Sequence, residues 1–254
     1  MLTRLHFEQA MGIESVPPVA PPPPASGGTE EPRRPVSGRG DAAPSAAPAP
    51  AGVDLFTPAI TPGAGEPDKA ARWKALEAEV QSCKKCRLHA GRTNAVFGCG
   101  NKQARLLFVG EGPGFDEDQQ GVPFVGRAGQ LLNKIIAAMG LKREEVYICN
   151  VVKCRPPENR TPADDEVLAC SRYLYEQIEL VAPSVIVTLG APATKTLLQT
   201  RQGIMSMRGK WHNFRGIPLM PTYHPAFVLR QYTQEVRSAV WEDMKQVMEK
   251  LKQS

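Results

Sequence analysis

The stretch Arg105-Leu106-Leu107-Phe108-Val109-Gly110-Glu111-Gly112-Pro113-Gly114 sets the architecture. Its short apolar run stops at glycines, the pattern of a buried strand. Downstream, Leu131, Leu132, Ile135, Ile136 and Met139 recur at helical spacing with Gly140 beyond them, predicting a helix over about 129–139. A second strand follows over 146–152. Thr161 and Pro162 then read as N-cap and first residue of a helix running to about Ala182. Pro183 precedes a third strand over 184–189, a helix over about 193–199 follows, and a fourth strand covers 217–220. Residues 238–250 lie in a final amphipathic helix. Upstream, Asp68 reads as the N-cap of a helix to about Ser82, with Trp73, Leu76 and Val80 as its apolar stripe. Strands alternating with helices predict an α/β fold, a three-layer α/β/α arrangement around a mainly parallel four-stranded sheet. In such sheets ligands bind beyond the carboxyl ends of the strands. That rule selects Glu111 with Gly112, Asn150, and His224 in Thr222-Tyr223-His224-Pro225.

The flanking composition divides the chain. Of 24 prolines in 254 residues, 14 precede Asp68. Residues 1–68 carry 4 basic and 8 acidic side chains, whereas 69–254 carry 27 and 18, a net charge of +9. The expectation is a largely disordered Pro/Ala/Gly-rich tail over 1–68 and one basic domain over 69–254, suited to a polyanionic partner. Residues 3–12 form a short helix candidate. The Pro/Ala/Gly/Ser stretch over 16–67 reads as a linker, with a docking motif for an unidentified protein partner as the alternative. No apolar run approaches the ~18–20 residues that cross a bilayer, and the first residues lack a signal-peptide pattern. A monomeric cytoplasmic protein with no membrane partner is expected, its six cysteines reduced or metal-bound.

Cys83 and Cys86 form a CxxC knuckle at a predicted helix end, and Cys154 and Cys170 are separate. Structural zinc commonly uses two knuckles. One knuckle plus two single cysteines suits a cubane iron–sulfur cluster met from several directions, with zinc and unligated thiols as the alternatives. Cys149, inside an apolar strand, reads as a buried structural cysteine, and Cys99 as an alternative ligand.

The glycine-rich segment, read as a loop that runs on through Phe115, fits neither usual phosphate loop: Phe115 stands where a dinucleotide fingerprint needs glycine, and Pro113 removes a donor. What remains is a tight backbone presenting Glu111, unless this is a solvated surface turn. Asn150 carries a donor and an acceptor for an amide-like base edge; tying down its own loop is the plainer role. His224 offers a hydrogen bond to a developing anion, or a structural one. Phe124 offers a stacking face, or ordinary packing.

Taken together, Cys-Lys-Lys-Cys, Gly-Glu-Gly-Pro-Gly, Pro-Phe-Val-Gly-Arg-Ala-Gly-Gln-Leu-Leu, Asn-Val-Val-Lys-Cys-Arg-Pro-Pro, Asn-Arg-Thr-Pro and Tyr-His-Pro occur in an order that resembles the family 4 uracil-DNA glycosylases, the iron–sulfur branch of that superfamily. The resemblance spans about 73–250 and leaves the tail out. It implies a monofunctional glycosylase of base excision repair that flips uracil out of DNA and hydrolyses its N-glycosidic bond. Glu111 would position or deprotonate the attacking water and steady an oxocarbenium-like sugar. His224 would stabilise charge on uracil O2, a role that a neutral imidazole fills. Asn150 would pair with uracil N3–H and O4, Phe124 would stack on the base, the Gly112 main chain would contact it, and Glu117 would crowd C5 against the thymine methyl. Cys83, Cys86, Cys154 and Cys170 would hold a 4Fe-4S cluster. Glu111 separates the chain from family 5, which lacks that carboxylate. The segment after Cys154 has neither histidine nor long insertion, so turnover without a trapped adduct is expected. Lys84, Lys85, Arg87, Arg127, Arg155, Arg208, Lys210 and Arg230 are candidate phosphate contacts, and Phe227 and Leu229 candidate wedges.

Overall fold

The computed structural model describes residues 68–253. The helix expected over 3–12 and the linker over 16–67 lie outside them. The four apolar runs form four parallel strands: β2 (Leu106–Gly110), β3 (Tyr147–Asn150), β4 (Val185–Leu189) and β6 (Ile217–Thr222). Short antiparallel strands β1 (Cys99–Gly100) and β5 (His212–Phe214) extend the sheet at its two edges, giving the order β1-β3-β2-β4-β6-β5. Neither edge strand is long enough to show a period of two. β5 owes its pairing to a two-residue turn, Arg215-Gly216, in which both residues have positive φ (51° and 87°).

Side chains along each strand alternate between faces. Leu107, Val109, Tyr147 and Ile186 face one helical layer, made of α1 (Lys69–Ser82), α4 (Asp164–Val181) and α5 (Ala191–Leu198). Its buried residues include Trp73, Leu76, Val80, Tyr173, Leu174 and Leu197. Leu106, Phe108, Ile148 and Val187 face the other layer, where α3 (Arg127–Ala138), α7 (Pro225–Arg230) and α8 (Gln234–Gln253) contribute Leu132, Ile136, Val228, Trp241 and Met244. Two short helices, α2 (Phe115–Gln120) and α6 (Ile204–Met207), complete the described chain. None of its helices is long and apolar enough to cross a membrane.

Four sequence expectations need correction. The sheet has six strands and not four, because the short edge strands β1 and β5 add to it. Phe115 is the first residue of α2 and not part of a loop. Asp68 precedes α1, yet its side chain makes no capping hydrogen bond. The helix expected to open at Thr161-Pro162 begins at Asp164. Glu166 reaches back to the Ala163 N–H at 2.8 Å and takes over the capping role, because the Thr161 hydroxyl is engaged with Glu111.

The strand order fixes where a ligand binds. The chain leaves β2 for β3 on one side and later returns to β4 on the other, so a switch point lies between β2 and β4. Gly110 and Asn150 are register partners at the carboxyl ends of β2 and β3. Leu189 pairs with Thr222, two residues before His224.

Candidate active site

Glu111, Gly112, Glu117, Phe124, Asn150 and His224 all line one cavity of about 440 Å³ at these strand ends. The sheet ladder continues past β2 and β3, with the Val152 N–H donating to the Glu111 carbonyl at 3.2 Å, and this holds the Glu111 backbone in place. Burial pushes the Glu111 carboxyl above the ordinary range, against the opposing pull of a Thr161 hydroxyl hydrogen bond and the Arg230 charge. Thr161 and Arg230 line the same cavity.

His224 is the N-cap of α7, with Pro225 in the first helical position. Its Nδ1 accepts the Ala226 N–H at 3.1 Å. That leaves the proton of the neutral ring on Nε2, so the opposite ring edge is a donor. Desolvation, followed by repulsion from Arg230, pushes the imidazole down to about 4, so it is neutral at pH 7. A Cβ on Gly190 would lie 3.0 Å from the His224 Cβ, so the end of β4 packs directly on this side chain. Below it, Thr222 donates to Asp243 at 2.7 Å and Arg208 to the same carboxylate at 2.6 Å, anchoring the strand that presents His224.

Asn150 is 1% exposed, and its Oδ1 has no protein hydrogen-bond donor. A buried acceptor of that kind costs about 1–3 kcal/mol when left unpaired. Gly110 lets this side chain and Phe124 approach: a Cβ there would stand 2.3 Å from Asn150 Oδ1 and 2.5 Å from Phe124 Cζ. Phe124 has φ +54°, and its ring centroid lies 5.8 Å from that of His224. The φ is held from two sides. Glu117 accepts the Val125 and Gly126 N–H groups, both at 2.9 Å, and Gly129 leaves room for the Phe124 carbonyl, which a Cβ would meet at 1.9 Å. Glu117 also accepts the Gly114 N–H at 3.1 Å, so its carboxylate is immobilised by three main-chain donors.

Cys83, Cys86, Cys154 and Cys170 line a second cavity together with Val80, Lys153 and Tyr173. Cys83 caps α1, Cys154 follows β3 and Cys170 lies two turns into α4. Cys154 Sγ accepts from Arg92 at 3.1 Å, and Cys170 Sγ from the Lys153 N–H at 3.3 Å. Burial pushes the Cys170 thiol up to about 12 and raises Cys86 and Cys154 as well. Among the described residues no group of three or more His, Cys, Asp or Glu is arranged to hold a metal ion; the four thiols surround a gap instead. Cys149 is fully buried in β3, and Cys99, on edge strand β1, is not among the residues lining that gap.

Several residues of the site were not singled out from sequence. Thr161 has the chemistry of a helix cap but lines the cavity and hydrogen-bonds Glu111, and its signal in the sequence is the Asn-Arg-Thr-Pro motif. Lys153 is 1% exposed and donates to the Asn150 carbonyl at 2.7 Å and Gln177 Oε1 at 2.5 Å. Its only sequence signal is a lysine set between Val152 and Cys154. Glu166, fully buried, accepts from Arg160 at 2.7 and 2.8 Å and from Arg87 at 2.8 Å. These contacts tie the knuckle region and the Thr161 loop to α4. Among the basic residues proposed for phosphate contact, Arg87 and Arg208 are thus paired with Glu166 and Asp243. Lys85 is paired with Glu79 at 3.0 Å. Of the proposed wedges, Phe227 lies with its ring centroid 5.0 Å from that of Tyr223 and tilted by 35°, and Leu229 packs on the second core.

A family model of the uracil DNA glycosylase superfamily matches residues 97–245, more than half of the chain. The chain belongs to this superfamily. Among its relatives, a type-4 uracil-DNA glycosylase of Thermotoga maritima is 48% identical over 169 residues, 65% of this chain and 87% of the relative. The type-4 enzyme of Sulfurisphaera tokodaii is 47% identical over 183 residues, covering 68% and 82%. A type-5 enzyme of Pyrobaculum aerophilum is 32% identical over 144 residues, covering 50% and 63%. The family resemblance drawn from the motifs therefore holds, and it points to the type-4 branch.

Proposed function

We propose that this chain excises uracil from DNA: a deoxyuridine turned out of the strand enters the 440 Å³ cavity, and water cleaves its N-glycosidic bond, leaving an abasic site. The observation that carries the reading is Asn150, a buried carboxamide whose acceptor lacks a protein donor, set beside Glu111 and His224. Uracil N3–H supplies the missing donor. Cytosine presents a lone pair at N3, and sites built on such pairing discriminate by roughly 10⁴–10⁵. The Phe124 ring stacks on the base and the Gly112 main chain borders it. Glu117, fixed by its three donors, forms a rigid wall against a C5 methyl.

The chemistry follows from the remaining groups. Ionised Glu111 orients a water at C1′ and accepts its proton as the oxygen bonds to carbon. Its charge also steadies the sugar while the C1′–N1 bond breaks and the electron pair leaves with the base. The Nε2–H of His224 donates to uracil O2 as negative charge builds there. Incubation with a uracil-containing oligonucleotide followed by alkali tests this. Strand breakage at the uracil is expected, and an intact strand would overturn the reading.

We further infer that Cys83, Cys86, Cys154 and Cys170 hold a 4Fe-4S cluster. The four thiols surround one gap from three segments, and Lys153 and Arg92 direct N–H groups at two of the sulfurs. When bound, it supplies a cross-link joining α1, the segment after β3 and α4, and the hydrolysis requires no electron from it. A brown protein containing about four irons and four sulfides per chain is the expected finding.

A further inference from the structure

Phe115 is 56% exposed. Of the large apolar side chains exposed among the described residues, it alone directly follows a residue that lines the base cavity, Gly114. The Arg155 guanidinium lies over its ring, 5.0 Å from the centroid. Arg155 is held from the other side by its own loop, where its Nε donates to Asn159 Oδ1 at 2.8 Å. Asn159 lines the base cavity and has φ +55°, as does Glu158 before it, so this loop has a defined and strained shape. Arg155 forms no ion pair with any described residue, unlike Arg87 and Arg208. Beside it runs a smaller cavity of about 160 Å³, lined by Arg155, Arg87, Gly91 and Pro157, which shares Pro156 with the base cavity.

An exposed aromatic ring, a guanidinium without an ion-pair partner among the described residues and a groove that borders the base pocket at Pro156 match one occupant, the strand that carries the uracil. We propose that Phe115 and Arg155 seat the nucleotide adjacent to the extruded deoxyuridine, its base stacked on the Phe115 ring face opposite Arg155 and its phosphate on the Arg155 guanidinium. Stacking of this kind is indifferent to base identity, because every base has a π-face. It also serves a strand already unpaired around the lesion. The inference rests on the reading that the cavity receives uracil from DNA, and it assigns Phe115 a binding role outside the chemistry.

The test uses the full chain and its Phe115→Ala, Phe115→Tyr and Arg155→Met variants. Binding to a labelled single-stranded oligonucleotide carrying an abasic site, which is not turned over, is read by fluorescence anisotropy. Phe115→Ala is expected to weaken binding roughly tenfold, with Phe115→Tyr restoring it. Arg155→Met is expected to weaken binding and flatten its salt dependence by about one phosphate contact. On a probe trimmed to end at the abasic site on the side of the seat, Phe115→Ala should match the unaltered chain, while on one trimmed on the opposite side the deficit should remain. Unchanged binding in Phe115→Ala, or an equal deficit on both trimmed probes, would overturn the proposal. Failure of the unaltered chain to release uracil would instead overturn the function proposed above, while the anisotropy comparison would still read the seat.

Discussion

The Lys153 ammonium donates to the Asn150 carbonyl at 2.7 Å, while the main-chain N–H of the same lysine points at Cys170 Sγ, 3.3 Å away. One residue thus touches both the strand end that presents the base-reading carboxamide and a proposed cluster ligand. Burial pushes this lysine's pKa down, yet its three donors meet two fixed oxygens. Lys153→Met keeps the shape of the side chain and removes those donors, leaving the Asn150 carbonyl and Gln177 Oε1 without them. The expected outcome is a loss of about 1–3 kcal/mol in stability by denaturant titration. KM for uracil-containing DNA should rise more than kcat falls, and the brown colour should persist. An unchanged KM would show that Asn150 holds its position unaided.

The pH dependence of excision follows from Glu111 and His224. Glu111 acts ionised and its pKa lies above the ordinary carboxylate value, so activity should rise with pH through that raised value and then level off. His224 titrates at about 4 and stays neutral above it. Thr161 and Arg230 both pull the Glu111 value down, so Thr161→Val or Arg230→Met should move the acid limb to higher pH. A kcat/KM profile checks the direction; a limb that shifts to lower pH contradicts the assignment. Glu111→Gln should lower kcat by at least 10²-fold with the fold intact.

Glu166 makes a distinct prediction about stability. Its hydrogen bond with Arg160, helped by the Ala163 N–H and Arg87, holds its carboxyl down at about 2, below the ordinary 4.5. A depressed carboxylate stabilises the fold above its unfolded pKa, and that contribution disappears as pH falls through the folded value. Glu166→Ala should therefore lower Tm at pH 7, by an amount equivalent to about 2 kcal/mol once the exposure of both arginines is allowed for. The gap from the unaltered protein should narrow between pH 4.5 and pH 2. Calorimetry across that range reads it directly.

The cysteines separate into two groups by substitution. Cys154→Ser or Cys170→Ser should lose colour and lower Tm together, because each removes one anchor of the cross-link. Cys99→Ser should keep both, since Cys99 lies on the sheet edge beside Arg143, away from the gap. Colour surviving in Cys154→Ser would exclude that residue as a ligand.

How much of this was legible in the residues depended on the length over which each signal ran. The four central strands are apolar and bounded by glycine, proline or asparagine, so their number and order of appearance could be read. β1 and β5 are two and three residues long and exist through their neighbours' hydrogen bonds. The start of α4 was misplaced because Thr161 has the chemistry of a cap but spends its hydroxyl on Glu111. α2 was missed because its buried side is a single acid, Asp118, which accepts the Thr93 N–H at 2.9 Å. The six cavity residues were selected by the strand-end rule and the family motifs. Lys153 and Glu166 were not: each has near partners, Asn150 for the lysine and Ala163 and Arg160 for the acid, but a further partner lies 24 or 79 positions away, which no local pattern records.

Gly129 and Phe124 have a bearing on protein engineering. The helix carries a bare Cα where any side chain would strike the Phe124 carbonyl, and that contact helps hold the stacking ring in its left-handed backbone. Positions 124 and 129 are therefore one design variable. A library that diversifies the base platform while retaining glycine at 129 samples different rings in a common pose. One that varies 129 as well redraws the pocket floor before any new base preference can be selected.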